Sequence, residues 1–180
     1  MVNAGRKTRD MTYIALCAVL MAVCAWLSVP AAVPFTMQTF AVFLTFALLG
    51  GRRGSITVLV YLLMGAVGLP VFSNFTGGLG VLLNVTGGYL LGFLIGMPVM
   101  WLLERLLGKA LCAKTISMLA GLLACYAFGT AWFMAVYART TAEIGLGAAL
   151  ILCVVPYILP DLIKLSLALL LSRRLAGLIK

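Results

Sequence analysis

The sequence predicts an all-α integral membrane protein with six transmembrane helices and both termini in the cytoplasm. Three observations support this fold class: 64% of the 180 residues are hydrophobic, only 9% are charged, and the apolar residues form long runs. Soluble domains are roughly 45–50% apolar and about 25% charged. A spanning helix needs about 20 apolar residues. We expect one domain over residues 1–180, with spans at about 11–29, 36–51, 54–69, 86–104, 115–137 and 160–179.

The distribution of Lys and Arg predicts the orientation of these spans. With the N-terminus inside, eleven of the thirteen basic residues fall on the cytoplasmic side, as is typical of membrane proteins. They are Arg6, Lys7, Arg9, Arg52, Arg53, Arg105, Lys109, Lys114, Arg173, Arg174 and Lys180. Arg139 falls outside, and Lys164 lies within a span. The net charge of +9 therefore reflects topology and does not indicate a nucleic-acid partner.

Several classes of chemistry have no support in the sequence. The chain has no histidine, and its five cysteines form no C-x-x-C pair, so we expect neither a metal site nor a disulfide framework. It has no G-x-x-x-x-G-K-[ST] motif, so it does not bind ATP through a P-loop. No nucleophile has the context of a catalytic motif. We therefore expect a protein that is not an enzyme and that carries no cofactor.

Two charges stand inside the last apolar stretch, in PYILPDLIK at residues 156–164. We expect residues 141–155 to form a short helix and a re-entry, and the last span to begin at Pro160, because proline suits the first position of a helix. Asp161 and Lys164 would then lie in the first turn, near the outer face and on one side of the helix.

Two interpretations of this pair are open. The charges could form a salt bridge that neutralises both, or they could bind a polar small molecule. Ionisable residues inside a membrane commonly mark substrate sites. A ligand that carries N–H groups of the urea or amide type together with a carboxylate would suit the pair.

Further candidate binding residues are predicted near the same outer face. They are Thr36, Gln38, Gly77, Gly78, Asn84 and Tyr89. The glycines can adopt positive φ and leave backbone N–H groups open to a ligand. Asn84 could instead cap a helix, and Tyr89 could stack on a ring or anchor the membrane interface. The loops 30–38 and 70–84 and the start of the last span would converge on a pocket open to the exterior.

Two patterns of small residues predict close packing. Gly88, Gly92 and Gly96 recur every four residues in the fourth span, where another helix or a ligand ring could approach. Ala18 and Ala22 have the same spacing in the first span, which suits contact with another helix or with another protein.

Three segments together resemble the BioY family, the biotin-binding S components of energy-coupling factor (ECF) transporters. They are VPFTMQTFAVFLTFALLGGRRGS, GLPVFSNFTGGLGVLLNVTGGYLLGF and PYILPDLIK, in the order and spacing of the family. The resemblance implies the ECF S-component fold in a prokaryotic cell membrane. It also implies a subunit that captures biotin from the outside and delivers it across the bilayer. The implied partners are a membrane T component and two cytoplasmic ATPases, which alone would bind ATP.

The resemblance also implies roles for individual residues. Asn84 and Asp161 would recognise the ureido ring of biotin, and Lys164 would contact its carboxylate. Tyr89 and the loop residues would line the ring pocket. Ala18 and Ala22 would face the T component.

Other functions remain as alternatives. A stand-alone secondary transporter for biotin or another small vitamin would be driven by an ion gradient. Asp161 is the one carboxylate in the interior of the predicted spans, and no inverted repeat is visible, which argues against this alternative. A membrane enzyme or a structural subunit is a third class, and failure to bind any small ligand would favour the structural subunit.

Overall fold

The computed structural model describes residues 2–29, 33–108, 110–140 and 144–175. The helices are α1 (Val2–Trp26), α2 (Gln38–Ala66), α3 (Leu79–Leu83), α4 (Gly87–Leu107), α5 (Leu111–Thr140), α6 (Leu146–Cys153) and α7 (Val155–Leu175). A 3₁₀ turn spans Ser73–Phe75. Two strands, β1 (Ser28–Val29) and β2 (Phe35–Thr36), form a short antiparallel ribbon. Of the residues predicted to lie in loops, 30–32 are outside the described residues, as are Lys109 and Lys180 of the predicted cytoplasmic set.

Five of the described helices are long and apolar enough to cross a membrane. The segments are Lys7–Trp26, Gln38–Ala66, Gly87–Leu107, Leu111–Arg139 and Val155–Leu175. Many of their leucine, isoleucine and valine side chains point outward and are exposed. An apolar outer surface is what a lipid environment requires. The all-helical membrane fold is thus confirmed.

The second of these helices is a hairpin. Gly50 has φ +75° and ψ 170°, which breaks the helix in its middle. The side chain of Gln38 donates a hydrogen bond to the hydroxyl of Tyr61 at 2.8 Å. In a straight helix with a rise of about 1.5 Å per residue, these two positions would be roughly 35 Å apart. The chain therefore folds back at Gly50, and its two arms are the second and third predicted spans.

Side chains from neighbouring helices complete this turn. The backbone N–H of Gly51 donates to Oε2 of Glu104 at 2.9 Å, and Nζ of Lys114 donates to the carbonyl oxygen of Ala47 at 3.1 Å. A helix end leaves such backbone groups without a partner in its own helix. Glu104 of α4 and Lys114 of α5 therefore stabilise the hairpin turn, which lies at the predicted cytoplasmic side.

The glycine face of α4 packs against α5. A Cβ atom at Gly88 would lie 2.3 Å from the Cβ of Trp132, and one at Gly92 would lie 2.8 Å from Sγ of Cys125. A Cβ at Gly96 would lie 2.7 Å from a carbonyl oxygen of α5. These distances leave no room for a side chain, so the helix-packing interpretation of the repeat is confirmed.

The small residues of α1 also pack inside the chain. Ala18 is 1% exposed and Ala22 is 4% exposed, and both belong to a core that they share with residues of α2. The prediction that they face a partner is not supported by this arrangement, because their small side chains serve the close packing of α1. The exposed face of α1 carries larger residues, among them Leu16, Val19 and Val23.

The start of the last span was predicted wrongly. A short helix, α6, occupies Leu146–Cys153 of the predicted segment 141–155, of which residues 141–143 are outside the described residues. However, α7 begins at Val155, five residues before Pro160. Pro156 occupies the first turn, where a missing N–H costs nothing. Pro160 lies inside the helix, so Asp161 is displaced from the first turn toward the interior of the bundle.

Candidate functional site

A cavity opens where the β ribbon and the 3₁₀ turn meet the helices α2 to α7. Its empty space, solvent at the mouth included, is about 700 Å³. Its polar lining includes Thr36, Gln38, Thr39, Tyr126, Asp161 and Lys164. Apolar side chains, among them Val81, Leu90 and Phe93, form much of the remaining wall.

The ammonium group of Lys164 is held by three acceptors. It donates to Oδ1 of Asp161 at 2.8 Å, to the carbonyl oxygen of Thr36 at 2.7 Å and to Oγ1 of Thr39 at 3.1 Å. It also lies 4.2 Å from the centre of the Phe35 ring, within the range of a cation–π interaction. An ammonium has three N–H donors. All three donors of Lys164 are therefore used within the chain.

The carboxylate of Asp161 is held in the same way. Its Oδ1 accepts from Lys164 and, at 2.8 Å, from the hydroxyl of Thr39. Its Oδ2 accepts from the hydroxyl of Tyr126 at 2.6 Å. Asp161 is 3% exposed and Lys164 is 4% exposed. A buried ion pair is tolerated when further hydrogen bonds compensate its desolvation, and this pair has them.

Local sequence explains this geometry. Asp161 and Lys164 are three residues apart on α7, so both project from one side of the helix. Thr36 ends β2, and its hydroxyl oxygen accepts a hydrogen bond at 3.3 Å from the backbone N–H of Gln38, where α2 begins. The tight transition from strand to helix places a carbonyl oxygen and the Thr39 hydroxyl side by side, where Lys164 reaches both.

The structure brings five of the predicted binding residues to the cavity. They are Thr36, Gln38, Tyr89, Asp161 and Lys164. The hydroxyl of Tyr89 shares a hydrogen bond of 3.1 Å with that of Thr130 on α5. Gln38 is buried and orients its amide through the bond to Tyr61.

Asn84 lies away from the cavity lining. Its side chain is exposed, and its Oδ1 accepts the backbone N–H of Val85 at 2.7 Å. Its carbonyl oxygen accepts the indole N–H of Trp132 at 3.0 Å. Asn84 follows the last residue of α3, so its place matches the alternative of a helix end. Its neighbour Thr86 lines the cavity instead.

Gly77 and Gly78 are also absent from the cavity lining, and their contacts explain why glycine stands there. A Cβ at Gly77 would lie 2.2 Å from the carbonyl oxygen of Leu69. Gly78 has φ +96°, and its N–H donates to the carbonyl oxygen of Gly65 at 2.7 Å. Both glycines shape the loop after the α2 hairpin. Their role in ligand binding stays a prediction.

Sequence reasoning missed several residues of the site. Thr39 and Tyr126 contact Asp161, and the hydroxyl of Tyr157 donates to the carbonyl oxygen of Val33. The i, i+3 spacing of Thr36 and Thr39 was a usable signal. Tyr126, in the middle of an apolar helix, was another, since a buried tyrosine hydroxyl needs a partner. Within the described part of the chain, no group of three His, Cys, Asp or Glu side chains is placed to hold a metal.

Comparison with known proteins shows what the chain resembles. The profile of the BioY family matches residues 1–180. The chain is 41% identical to the biotin transporter BioY of Thermotoga maritima over 157 residues, which are 87% of this chain and 89% of the relative. It is 35% identical to the probable biotin transporter BioY of Pyrococcus horikoshii over 172 residues, 95% of this chain and 98% of the relative.

A solved structure shares the fold. The crystal structure of the S-component for biotin from an ECF-type ABC transporter superposes with a TM-score of 0.84. The match covers 96% of this chain and 93% of the other, at 25% identity. The described architecture is thus the S-component fold that the resemblance implied, in a multi-pass membrane protein. Sequence and structure agree, and this chain belongs to the BioY family.

Proposed function

We propose that this chain is the biotin-binding S component of an ECF transporter in a prokaryotic cell membrane. It captures biotin from the outside and delivers it across the bilayer. One observation carries the proposal: a buried, hydrogen-bonded Asp161–Lys164 pair forms part of the wall of an open cavity in a chain of the BioY family.

The carboxylate of Asp161 is suited to the N–H groups of a ureido ring. A carboxylate offers about four acceptor positions, two on each oxygen. Oδ1 uses both of its positions, for Lys164 and Thr39, whereas Oδ2 accepts only from Tyr126. The second acceptor position of Oδ2 is where a ureido N–H would bind.

The carboxylate of biotin would need a different step. Because Lys164 uses all its donors, it reaches a ligand carboxylate only by releasing the Thr36 carbonyl oxygen or the Thr39 hydroxyl. Asn84 likewise contacts the ureido ring only if its amide turns away from Val85. Lys164 and Asn84 would therefore bind biotin only after their present hydrogen bonds are released, whereas Asp161 could bind it without rearrangement.

The remaining walls suit the fused rings of biotin. Leu90 and Phe93 supply apolar surface, and Tyr89 supplies an aromatic ring at the same cavity. Gly77 and Gly78 contribute by holding the loop that ends at the mouth. No residue has a catalytic role in this function.

The proposed partners are a membrane T component and two ATPases that share the complex. The sequence has no P-loop, so the energy of ATP hydrolysis would come from other chains. The structural relative is named as part of an ECF-type ABC transporter, which supports the same assembly. A secondary transporter would be favoured instead if this chain alone took up biotin and an ionophore abolished that uptake.

The test is calorimetry of biotin binding to the purified protein in detergent. We expect one-to-one binding to the wild type, and a loss of tenfold or more in affinity for Asp161→Asn, because a hydrogen bond to a charged acceptor contributes about 1.5–3 kcal/mol. We expect a similar loss for Lys164→Ala, because it leaves the buried Asp161 carboxylate without its ammonium partner. Lys114→Ala is the control, because Lys114 contacts Ala47 at the hairpin turn, far from the cavity. This variant should bind biotin as the wild type does.

Either of two results would contradict the proposal. Affinity that survives both substitutions would place the binding site elsewhere and leave the pair as a structural salt bridge. A folded wild-type protein that binds no biotin would exclude biotin as the ligand.

A further inference from the structure

A second opening lies at the end of the molecule opposite the cavity. It is a cleft between α1, the turn of the α2 hairpin and α4, with about 1430 Å³ of empty space, solvent at its mouth included. This end carries the predicted cytoplasmic charges. Three arginines line the cleft: Arg52, Arg53 and Arg105.

The two acidic residues in the cleft already have partners. A carboxylate oxygen of Asp10 lies 2.8 Å from the guanidinium of Arg53. Oε2 of Glu104 accepts the N–H of Gly51 at 2.9 Å and so belongs to the hairpin turn. Asp10 therefore pairs with Arg53, whereas the carboxylate of Glu104 binds a neutral backbone N–H and keeps its charge. The three arginines and two acids of the lining leave a net charge of +1, and two of the arginines contact no acid within the described ranges.

Arg52 and Arg105 are those two. Both are exposed, and neither forms an ion pair with an acid among the residues that the structure describes. The guanidinium of Arg105 lies 4.5 Å from the centre of the Trp101 ring, which holds it over the cleft. Ile14 and Ile56 complete the wall, and Ile56 is 43% exposed.

We propose that this cleft binds the phosphate headgroup of an anionic phospholipid from the cytoplasmic leaflet. Guanidinium groups pair with phosphate oxygens in a planar, two-pronged geometry. Basic pockets between membrane helices on the cytoplasmic side suit anionic headgroups. The exposed Ile56 beside the arginines offers apolar surface to an acyl chain, which free phosphate would not use. The proposal is independent of the ligand in the outer cavity.

Fluorescence quenching of Trp101 tests the proposal. The chain has three tryptophans, and Trp26→Phe with Trp132→Phe leaves Trp101 alone. This protein is reconstituted into phosphatidylcholine vesicles that contain either dibromo-phosphatidylglycerol or dibromo-phosphatidylcholine. We expect Trp101 to prefer the anionic lipid by on the order of tenfold to thirtyfold, because each arginine near an anionic surface contributes a factor of roughly five.

Variants that remove the same charge at different places distinguish a specific lipid site from general attraction between a basic protein and anionic lipid. Arg52→Gln with Arg105→Gln should bring the preference close to parity. Arg52→Gln alone, at an exposed side chain without an acidic partner, should lower it about fivefold and leaves folding unaffected. Arg173→Gln with Arg174→Gln removes the same charge from exposed positions at the end of α7 and should keep the preference.

Two results would overturn the proposal. The first is a preference that persists in the Arg52 and Arg105 variants or that falls equally in the Arg173 and Arg174 variant. The second is displacement of the brominated anionic lipid by millimolar inorganic phosphate, which would identify a site for soluble phosphate. Neither result depends on whether the protein binds biotin.

Discussion

Three donors from three helices meet at the carboxylate of Asp161. Lys164 comes from α7 itself, Thr39 from the first turn of α2 and Tyr126 from the middle of α5. One side chain thus connects elements that are far apart in the sequence. A substitution at any of the three donors should change the position of the Asp161 carboxylate.

Tyr126→Phe tests this connection at the residue scale. The substitution removes the 2.6 Å hydrogen bond to Oδ2 of Asp161 and keeps the ring. The loss of this bond should misplace Asp161 and so weaken the hydrogen bond that its carboxylate makes to the ligand. Because a hydrogen bond to a charged group contributes about 1.5–3 kcal/mol, we expect biotin affinity to fall by up to about tenfold to a hundredfold. Calorimetry measures the effect, and the melting temperature of the ligand-free protein checks the fold.

Tyr89→Phe is the matched control. It removes a neutral hydrogen bond of 3.1 Å to Thr130 at the same cavity. A neutral bond contributes about 0.5–1.5 kcal/mol, so the loss should stay at about tenfold or below. If Tyr126→Phe binds as tightly as the wild type, the hydroxyl does not position Asp161.

The sequence predicted the residues of this site unevenly, for a physical reason. The i, i+3 spacing of Asp161 and Lys164 depends only on helix geometry, so their shared side was predictable. Thr39 and Tyr126 reach Asp161 across helix interfaces, and the rotation of one helix against another cannot be read from a single sequence. Asn84 was expected at the mouth of the fourth span, but local hydrogen bonds at the end of α3 turn it away from the cavity.

At the scale of elements, lengths and turns were predictable where glycine or charge marked them. GGRRG indicated the turn in α2, and Gly50 with its positive φ makes that turn. The start of α7 was missed because two prolines stand four residues apart and either could begin a helix. The sequence favoured Pro160, whereas the helix begins beside Pro156.

The contact between α4 and α5 yields a prediction about stability. Gly88→Ala would place a methyl group 2.3 Å from the Cβ of Trp132, so one of the helices must shift. Overpacking of this kind costs about 1–3 kcal/mol. We expect a lower melting temperature in detergent for Gly88→Ala.

Gly80→Ala serves as its control. Gly80 lies in α3, and no atom of a neighbouring residue is within 4 Å of a Cβ placed there. Its melting temperature should equal or slightly exceed that of the wild type, because alanine favours a helix over glycine. Equal melting of both variants would mean that the glycine face does not limit the approach of α4 to α5.

At the scale of the whole molecule, two clusters of charged side chains lie at opposite ends of the helices. The cavity with the buried ion pair lies at one end, and the arginine cleft with the hairpin turn lies at the other. Charge distribution and span length were enough to predict this arrangement, because both act through the bilayer rather than through detailed packing. The existence of a pocket followed from converging loops and from the resemblance, and its lining depended on the packing of helices.

Chemical labelling of Cys112 tests the orientation. Cys112 is exposed at the start of α5, while Cys17, Cys24, Cys125 and Cys153 are buried. If both termini are cytoplasmic, a membrane-impermeant maleimide should label Cys112 only after cells are permeabilised. Val67 is highly exposed near the outer cavity, so Val67→Cys in a Cys112→Ser background should be labelled in intact cells. Labelling of Cys112 in intact cells would reverse the topology.

The hydrogen bonds of Asp161 and Lys164 to other groups of the chain affect how the cavity discriminates between ligands. Every acceptor of Lys164 belongs to the chain, so a ligand's carboxylate exchanges one bond for another and gains little net free energy from it. An impostor that displaces these contacts without replacing them leaves a buried charge unpaired, which is heavily penalised. The charged pair thus rejects molecules that cannot replace its contacts, and it adds affinity through the free acceptor position on Oδ2 of Asp161.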